Sequence, residues 1–310
     1  MVSIDLVTGF LGAGKTTFIS RYGQWLERQG KRFAVVENEF GAAGVDSAFL
    51  SEQFGNVREL SGGCICCTLK SGFYQLLEEL CGVCDCIVVE PSGLYNLDDF
   101  FEVTDGLERQ GLARPGMCIT LVDPHTFPLM NEAEKTILHD ELIGSGCVVW
   151  SKADVPPAWD EETARQQILD CMGNHAEPMT FYDTPTYLLA DEDFARLQSM
   201  TPVRRSHTRV LRDHQTFYQS ATLRPAGQFE PKVLLDVFQC VMADGSCGDI
   251  LRIKGFVNGS EGSIAVNCTV SDHSAVPCSA QPAMLNIIGR GINRSRLKML
   301  LSQSNMRQTE

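Results

Sequence analysis

The chain has 310 residues, of which 44% are hydrophobic, and a formal net charge of −13, so it has length and apolar content for one large core or two smaller ones. Its acidity, with a pI near 4.9, argues against nonspecific nucleic-acid binding, and no apolar run approaches the roughly 20 residues of a membrane span. Met1-Val2-Ser3-Ile4-Asp5-Leu6-Val7 carries no basic segment leading into a long apolar one, so no secretory signal is predicted, and the thirteen cysteines read as reduced thiols of a cytoplasmic protein.

Short apolar runs then alternate with helical periodicity. Ile4 to Val7 predicts a first strand, followed at once by a glycine loop. Thr16 to Gln29 places Phe18, Tyr22 and Trp25, with Ile19 and Leu26 alongside, at helical spacing. Arg32 to Val36 predicts a second strand, Thr68 to Leu80 a helix, and Cys86 to Val89 a buried strand ending at Glu90. Met117 to Val122 and Cys147 to Trp150 continue the series, which predicts an α/β fold: a mainly parallel sheet between helices, over residues 1–200. Residues 201–212 are short, polar and basic, as a linker would be. In residues 213–310, strands are predicted at Thr216 to Leu223, Ile250 to Val257, Ser263 to Val270 and Ala283 to Ile288. Helices are predicted at Phe229 to Met242 and Asn293 to Leu301, which together give a smaller α+β domain.

Gly9-Phe10-Leu11-Gly12-Ala13-Gly14-Lys15-Thr16 has the spacing of a phosphate-binding loop. Gly9, Gly12 and Gly14 let the backbone turn its amides toward phosphate oxygens, with Ala13 and Thr17 in the same cradle, and the following helix adds its positive end. Lys15 reaches the β- and γ-phosphates, and the Thr16 hydroxyl suits Mg²⁺. Glu90, before Pro91-Ser92-Gly93, is placed to hold that metal or its water, and Gly93 to give an amide to the γ-phosphate; the bland alternative is a glutamate capping a turn. Asp46 follows a glycine-bearing loop and would approach Mg²⁺ as part of a switch. Ser151-Lys152-Ala153-Asp154 follows a late strand: the Asp154 carboxylate accepts from guanine N1 and N2, and the Lys152 stem covers the base. These groups suit phosphoryl transfer from a guanine nucleotide, with Lys15, Thr16 and Glu90 as its principal groups.

Cys64-Ile65-Cys66-Cys67 offers three thiols to a thiophilic ion. A fourth ligand would be a water, Glu37 or Glu39, or a histidine such as His125; with a switch carboxylate in that place, GTP would alter metal affinity. Buried or redox-active thiols are the alternative. Cys81, Cys84 and Cys86 read better as small buried side chains than as a second metal site, and the remaining single cysteines read mostly as core.

These motifs, in this order, with Glu37-Asn38-Glu39-Phe40-Gly41, Gly62-Gly63 before the thiols and Leu251-Arg252-Ile253-Lys254-Gly255-Phe256 near the C-terminus, resemble the CobW-like P-loop GTPases. The resemblance spans nearly the whole chain. It implies a slow, Mg²⁺-dependent GTPase that binds Zn²⁺, Co²⁺ or a related ion and hands it to a client metalloprotein; homo-oligomer formation is a further option. Four departures stand out: the six histidines form no histidine-rich tract, Pro91 replaces the usual Thr, Ser151 replaces the usual Asn, and the C-terminal domain is short. A metal-sensing or buffering switch and a small-molecule P-loop kinase are the rival readings.

Overall fold

The computed structural model describes residues 1–37, 50–51, 53–59, 69–91, 97–173, 179–200, 218–269 and 273–306. The chain divides into two compact units, one built mainly from residues up to 212 and one from 213 onward.

In chain order the first unit contains β1 (Val2–Thr8), α1 (Lys15–Arg28), β2 (Phe33–Glu37), β3 (Val57–Glu59), α2 (Leu69–Cys81), β4 (Cys86–Glu90), α3 (Leu97–Arg109), β5 (Ala113–Val122), α4 (Glu132–Ser145), β6 (Cys147–Trp150), α5 (Glu161–Met172), β7 (Thr180–Tyr182) and α6 (Asp191–Ser199). The seven strands are parallel, in the order β3-β2-β4-β1-β5-β6-β7. β1, β2, β4 and β6 are buried throughout, which is why their sequences read as continuous apolar runs. Alternate residues face two helical layers. Val7, Val35, Val88 and Ile119 pack with Phe18, Ile19, Tyr22 and Leu26 of α1. Leu6, Val36, Ile87 and Val89 pack with Phe73 and Leu77 of α2 and Phe100 and Val103 of α3. α1 opens at Gly14 without a side-chain cap, so its buried face, at about 1.5–3 kcal/mol per large apolar side chain, holds it in place.

Asp5 interrupts the apolar pattern of β1 and is fully buried. Its Oδ2 accepts from the Tyr22 hydroxyl at 2.6 Å and the Cys86 thiol at 3.1 Å, and its Oδ1 from the Met117 amide at 2.9 Å. Gly116 makes room: a Cβ there would stand 1.8 Å from Asp5 Oδ1. The β1–β5 register shifts between Ile4 and Leu6, around the same carboxylate. β5 therefore begins at Ala113, ahead of the predicted Met117, because Arg114, Pro115 and Gly116 obscure its start. β3 and β7 have three residues each, too few for a periodic signal.

The second unit contains β8 (Gln219–Leu223), α7 (Pro231–Ala243), β9 (Asp249–Asn258), β10 (Ser263–Thr269), β11 (His273–Cys278), β12 (Met284–Arg290) and α8 (Arg294–Met306). Its strands pair antiparallel in the order β11-β10-β9-β12-β8. α7 buries Leu234, Phe238 and Val241 against them, and α8 adds Leu297 and Leu301. The Glu230 carboxylate caps α7 by accepting from the Val233 amide at 2.8 Å, with Pro231 in the first turn. The strand missed from sequence, β11, lies at the sheet edge, where Pro277 is tolerated. Among the described residues no helix is long and apolar enough to cross a membrane.

Candidate phosphate-binding site

Because the sheet is parallel, the carboxyl ends of its strands lie along one edge, where Gly9 follows β1, Glu37 ends β2, Glu90 ends β4, Asp123 follows β5 and Ser151 follows β6. Gly9 has φ +140° and a Cβ there would meet Leu121 O at 2.5 Å, so only glycine fits. Gly12 and Gly14 take left-handed φ of 81° and 83°. The Ala13 amide donates to Phe10 O at 3.1 Å, closing the turn. Lys15 opens α1 and is buried; its Nζ donates to Gly9 O at 2.7 Å and to Phe10 O at 3.4 Å. Thr17, in the first turn of α1, is exposed. Loop and helix start together form a nest of backbone amides suited to an anion.

The Thr16 hydroxyl lies 3.4 Å from Glu90 Oε1, so the two oxygens assigned to Mg²⁺ from sequence meet, across α1 and β4. They are hard donors and fit a hard cation. Glu37 is register partner to Glu90 on the adjacent strand, and both are buried. Glu39, Asp46 and Gly93 lie outside the described residues, as do Cys64, Cys66 and Cys67.

Ser151 is buried beside the loop: a Cβ on Gly14 would contact Ser151 Cβ at 3.8 Å. Lys152 takes a left-handed φ of 53°, and its Nζ stands 3.9 Å from Asp123 Oδ2. Asp154 is exposed, and the Trp159 indole donates to Ala153 O at 3.0 Å, bracing the segment. The motif predicted to read the base is thus adjacent to the motif predicted to hold the phosphates.

Among the described residues no group of three or more His, Cys, Asp and Glu side chains is arranged to hold a metal ion. Cys81 ends α2 and Cys86 opens β4, as the sequence indicated. Burial pushes the Cys81, Cys84 and Cys86 thiols up, away from the thiolate form a metal needs, and the Cys86 thiol is already bonded to Asp5. Cys118, Cys147, Cys247 and Cys268 are core, but Cys171 and Cys278 are only half-buried and Cys240 is exposed. His125 sits in the turn after β5, its amide bonded to Asp123 Oδ1 at 2.9 Å.

One charged residue behind the phosphate loop belongs to no sequence motif. Glu141, on α4, is buried and accepts from the Thr8 hydroxyl at 2.9 Å. A signal was available: Glu141 shares the helical stripe of Ile137, Leu138 and Leu142, an acid where an apolar residue belongs.

A parallel sheet with a phosphate loop after its central strand, and an acid from the neighbouring strand beside the loop's threonine, defines a P-loop nucleotide-binding protein. More narrowly, the chain belongs to the CobW/HypB/UreG family, whose nucleotide-binding domain matches residues 3–179. It is similar to the zinc chaperone CobW of Pseudomonas aeruginosa, 41% identical over 103 residues, covering 29% of this chain and 27% of that protein. The zinc chaperone YeiR of Escherichia coli is 28% identical over 158 residues, covering 50% and 47%. Zinc-regulated GTPase metalloprotein activator 1 of Schizosaccharomyces pombe is 31% identical over 180 residues, covering 54% and 43%. The chain thus spans less than half the length of these relatives. Among solved structures, the zinc-bound YjiA GTPase of Escherichia coli is 18% identical, with a TM-score of 0.40 over 97% of this chain and 98% of that one.

Proposed function

We propose that the protein binds GTP, hydrolyses it slowly, and uses the cycle to hold and release a transition-metal ion, zinc or cobalt, for a client metalloprotein. The observation that carries the reading is the meeting of Thr16 and Glu90 beside the loop from Gly9 to Lys15, in a chain of the CobW/HypB/UreG family. The names of two relatives, both zinc chaperones, support zinc as the cargo.

In this reading the loop amides and Lys15 bind the β- and γ-phosphates and stabilise charge that develops there. Thr16 and Glu90, with Asp46, would hold Mg²⁺, which would supply positive charge to offset that of the phosphates. Gly93 gives its amide to the γ-phosphate. Ser151, Lys152 and Asp154 select guanine. The thiols of Cys64, Cys66 and Cys67 take the cargo, with Glu37 at the end of β2, or Glu39, completing the set. Residues 201–212 link the nucleotide domain, 1–200, to a domain, 213–310, that reads the client.

The test is zinc affinity in the presence of GDP and of a non-hydrolysable GTP analogue. Affinities that differ between the two states support gated delivery. Equal affinities would leave a buffer, because a ligand without differential affinity shifts no equilibrium. Hydrolysis of GTP without any acceptor separates the reading from a small-molecule kinase, and Cys66→Ala is expected to weaken zinc binding while leaving GTP binding intact.

A further inference from the structure

Glu141 projects from α4 into the back of the phosphate loop and is 1% exposed. Its Oε1 accepts from Thr8, the last residue of β1 before the loop. The Lys15 ammonium and the Gly9 amide also face the carboxyl, while the enclosed Oε2 makes no hydrogen bond among the described residues. Lys15 itself is bonded to Gly9 O and Phe10 O. The acid, the start of the loop and the loop's cation therefore form one buried cluster.

We propose that Glu141 is a positioning residue of the phosphate loop, and that its carboxyl takes up a proton from solvent when nucleotide phosphates bind on the other side of that loop. The inference rests on the nucleotide-binding reading of Gly9 to Thr16. Its reason is electrostatic. Phosphate brings negative charge toward a carboxyl that cannot be rehydrated, and it competes for Lys15, the cation that offsets the carboxylate. Both effects favour the neutral acid, whose Oε1 still accepts from Thr8, so the loop keeps its anchor. By linkage, protonation tightens phosphate binding by the same factor that phosphate raises proton affinity.

The groups around Glu141 make this titration local. From α1 the facing charge is Lys15, and on its own helix the neighbouring acid is Asp140. β1 presents the Thr8 hydroxyl, β5 presents Thr120, bonded to Glu141 O at 3.1 Å, and α3 presents apolar Leu97 and Phe101 at Gly144. Burial pushes the Glu141 pKa up to about 7, against the opposing pull of Lys15, the Thr8 hydroxyl and the Gly9 amide, with a smaller upward push from Asp140. A small further rise on phosphate binding would therefore move real proton occupancy near neutral pH.

The experiment is calorimetry of GDP with Mg²⁺ binding to the full chain, in buffers of different ionisation enthalpy, from about pH 6 to about pH 8. The parent protein is expected to take up a fraction of a proton at neutral pH and to lose affinity as pH rises. The loss is about tenfold in Kd for each unit by which bound phosphate raises the carboxyl pKa. Glu141→Gln keeps the shape, cannot titrate, and should lack that uptake; the nucleotide's own phosphate titration is common to both proteins and cancels in the difference. Thr8→Val removes the donor that favours the carboxylate, so the midpoint of the affinity profile should move to higher pH, and this variant serves if Glu141→Gln does not fold. Equal proton uptake with and without the carboxyl, or an unmoved midpoint in Thr8→Val, overturns the inference while leaving nucleotide binding intact. GDP failing to bind the parent protein at any pH overturns the nucleotide reading, and this inference falls with it.

Discussion

Two buried carboxyls flank the central strand and behave differently. Asp5 points from β1 toward α1 and receives a phenol, a thiol and a main-chain amide, all from parts of the core. Glu141 points from α4 toward the opposite side of the same strand's end and receives the Thr8 hydroxyl at the entrance to the phosphate loop. Burial raises the proton affinity of both, against the hydrogen bonds each accepts. The contrast lies in what the partners do. Those of Asp5 have no part in the phosphate site, so its network serves the fold, whereas those of Glu141 belong to a ligand-binding loop, so its charge is tied to occupancy.

The contrast can be broken most forcefully at Asp5. Asp5→Ala leaves the Met117 amide and Cys86 thiol without their acceptor and opens a cavity, an expected loss of about 3–5 kcal/mol in urea unfolding. A loss below about 1 kcal/mol would mean the network is not structural.

At Glu141 the sign is opposite and depends on pH. Folded Glu141 titrates near 7 against an ordinary value of 4.5, so between those values the folded state holds the extra proton and stability falls as pH rises. Above that window the cost is constant; below it the residue contributes no pH dependence. Glu141→Gln is therefore expected to match the parent near pH 4 and to be more stable at pH 8, by about 3 kcal/mol at most, in unfolding curves at the two pH values. A gain that is the same at both pH values would mean the carboxyl does not titrate on unfolding.

Smaller effects are expected around Asp5. Gly116→Ala drives a methyl into Asp5 Oδ1 and should cost about 1–3 kcal/mol, rescued in part by Asp5→Ser, which retracts the clashing atom. Tyr22→Phe removes one donor to Asp5 and leaves the Gln198 amide without its phenol acceptor, an expected loss of about 1 kcal/mol in the same assay. The exposed pair Arg28–Asp191, 2.7 Å apart, serves as a control, since Arg28→Ala should cost no more than about 0.5 kcal/mol and lose even that at high salt.

The first unit was legible wherever burial was complete on both faces, because Ile4 to Val7, Cys86 to Val89 and Cys147 to Trp150 leave a strong local signature. β3, β7 and β11 were not legible, for they lie at sheet edges and are short or weakly apolar. Asp5 and Glu141 were missed for a different reason. An acid in a strand or a helix gains meaning only from donors distant in sequence: Tyr22, Cys86 and Met117 for one, Thr8 for the other.

Local sequence settles the phosphate loop, because close backbone approach demands glycine and phosphate demands Lys15 at fixed spacing. It also determined that a strand precedes that loop and a helix follows it. That Thr16 meets Glu90, that Ser151 lies beside Gly14, and that Glu141 stands behind the loop with its charge unsettled follows from the packing of distant elements. Those contacts join residues on separate elements, and parallel pairing of the strands is what brings the elements to one edge.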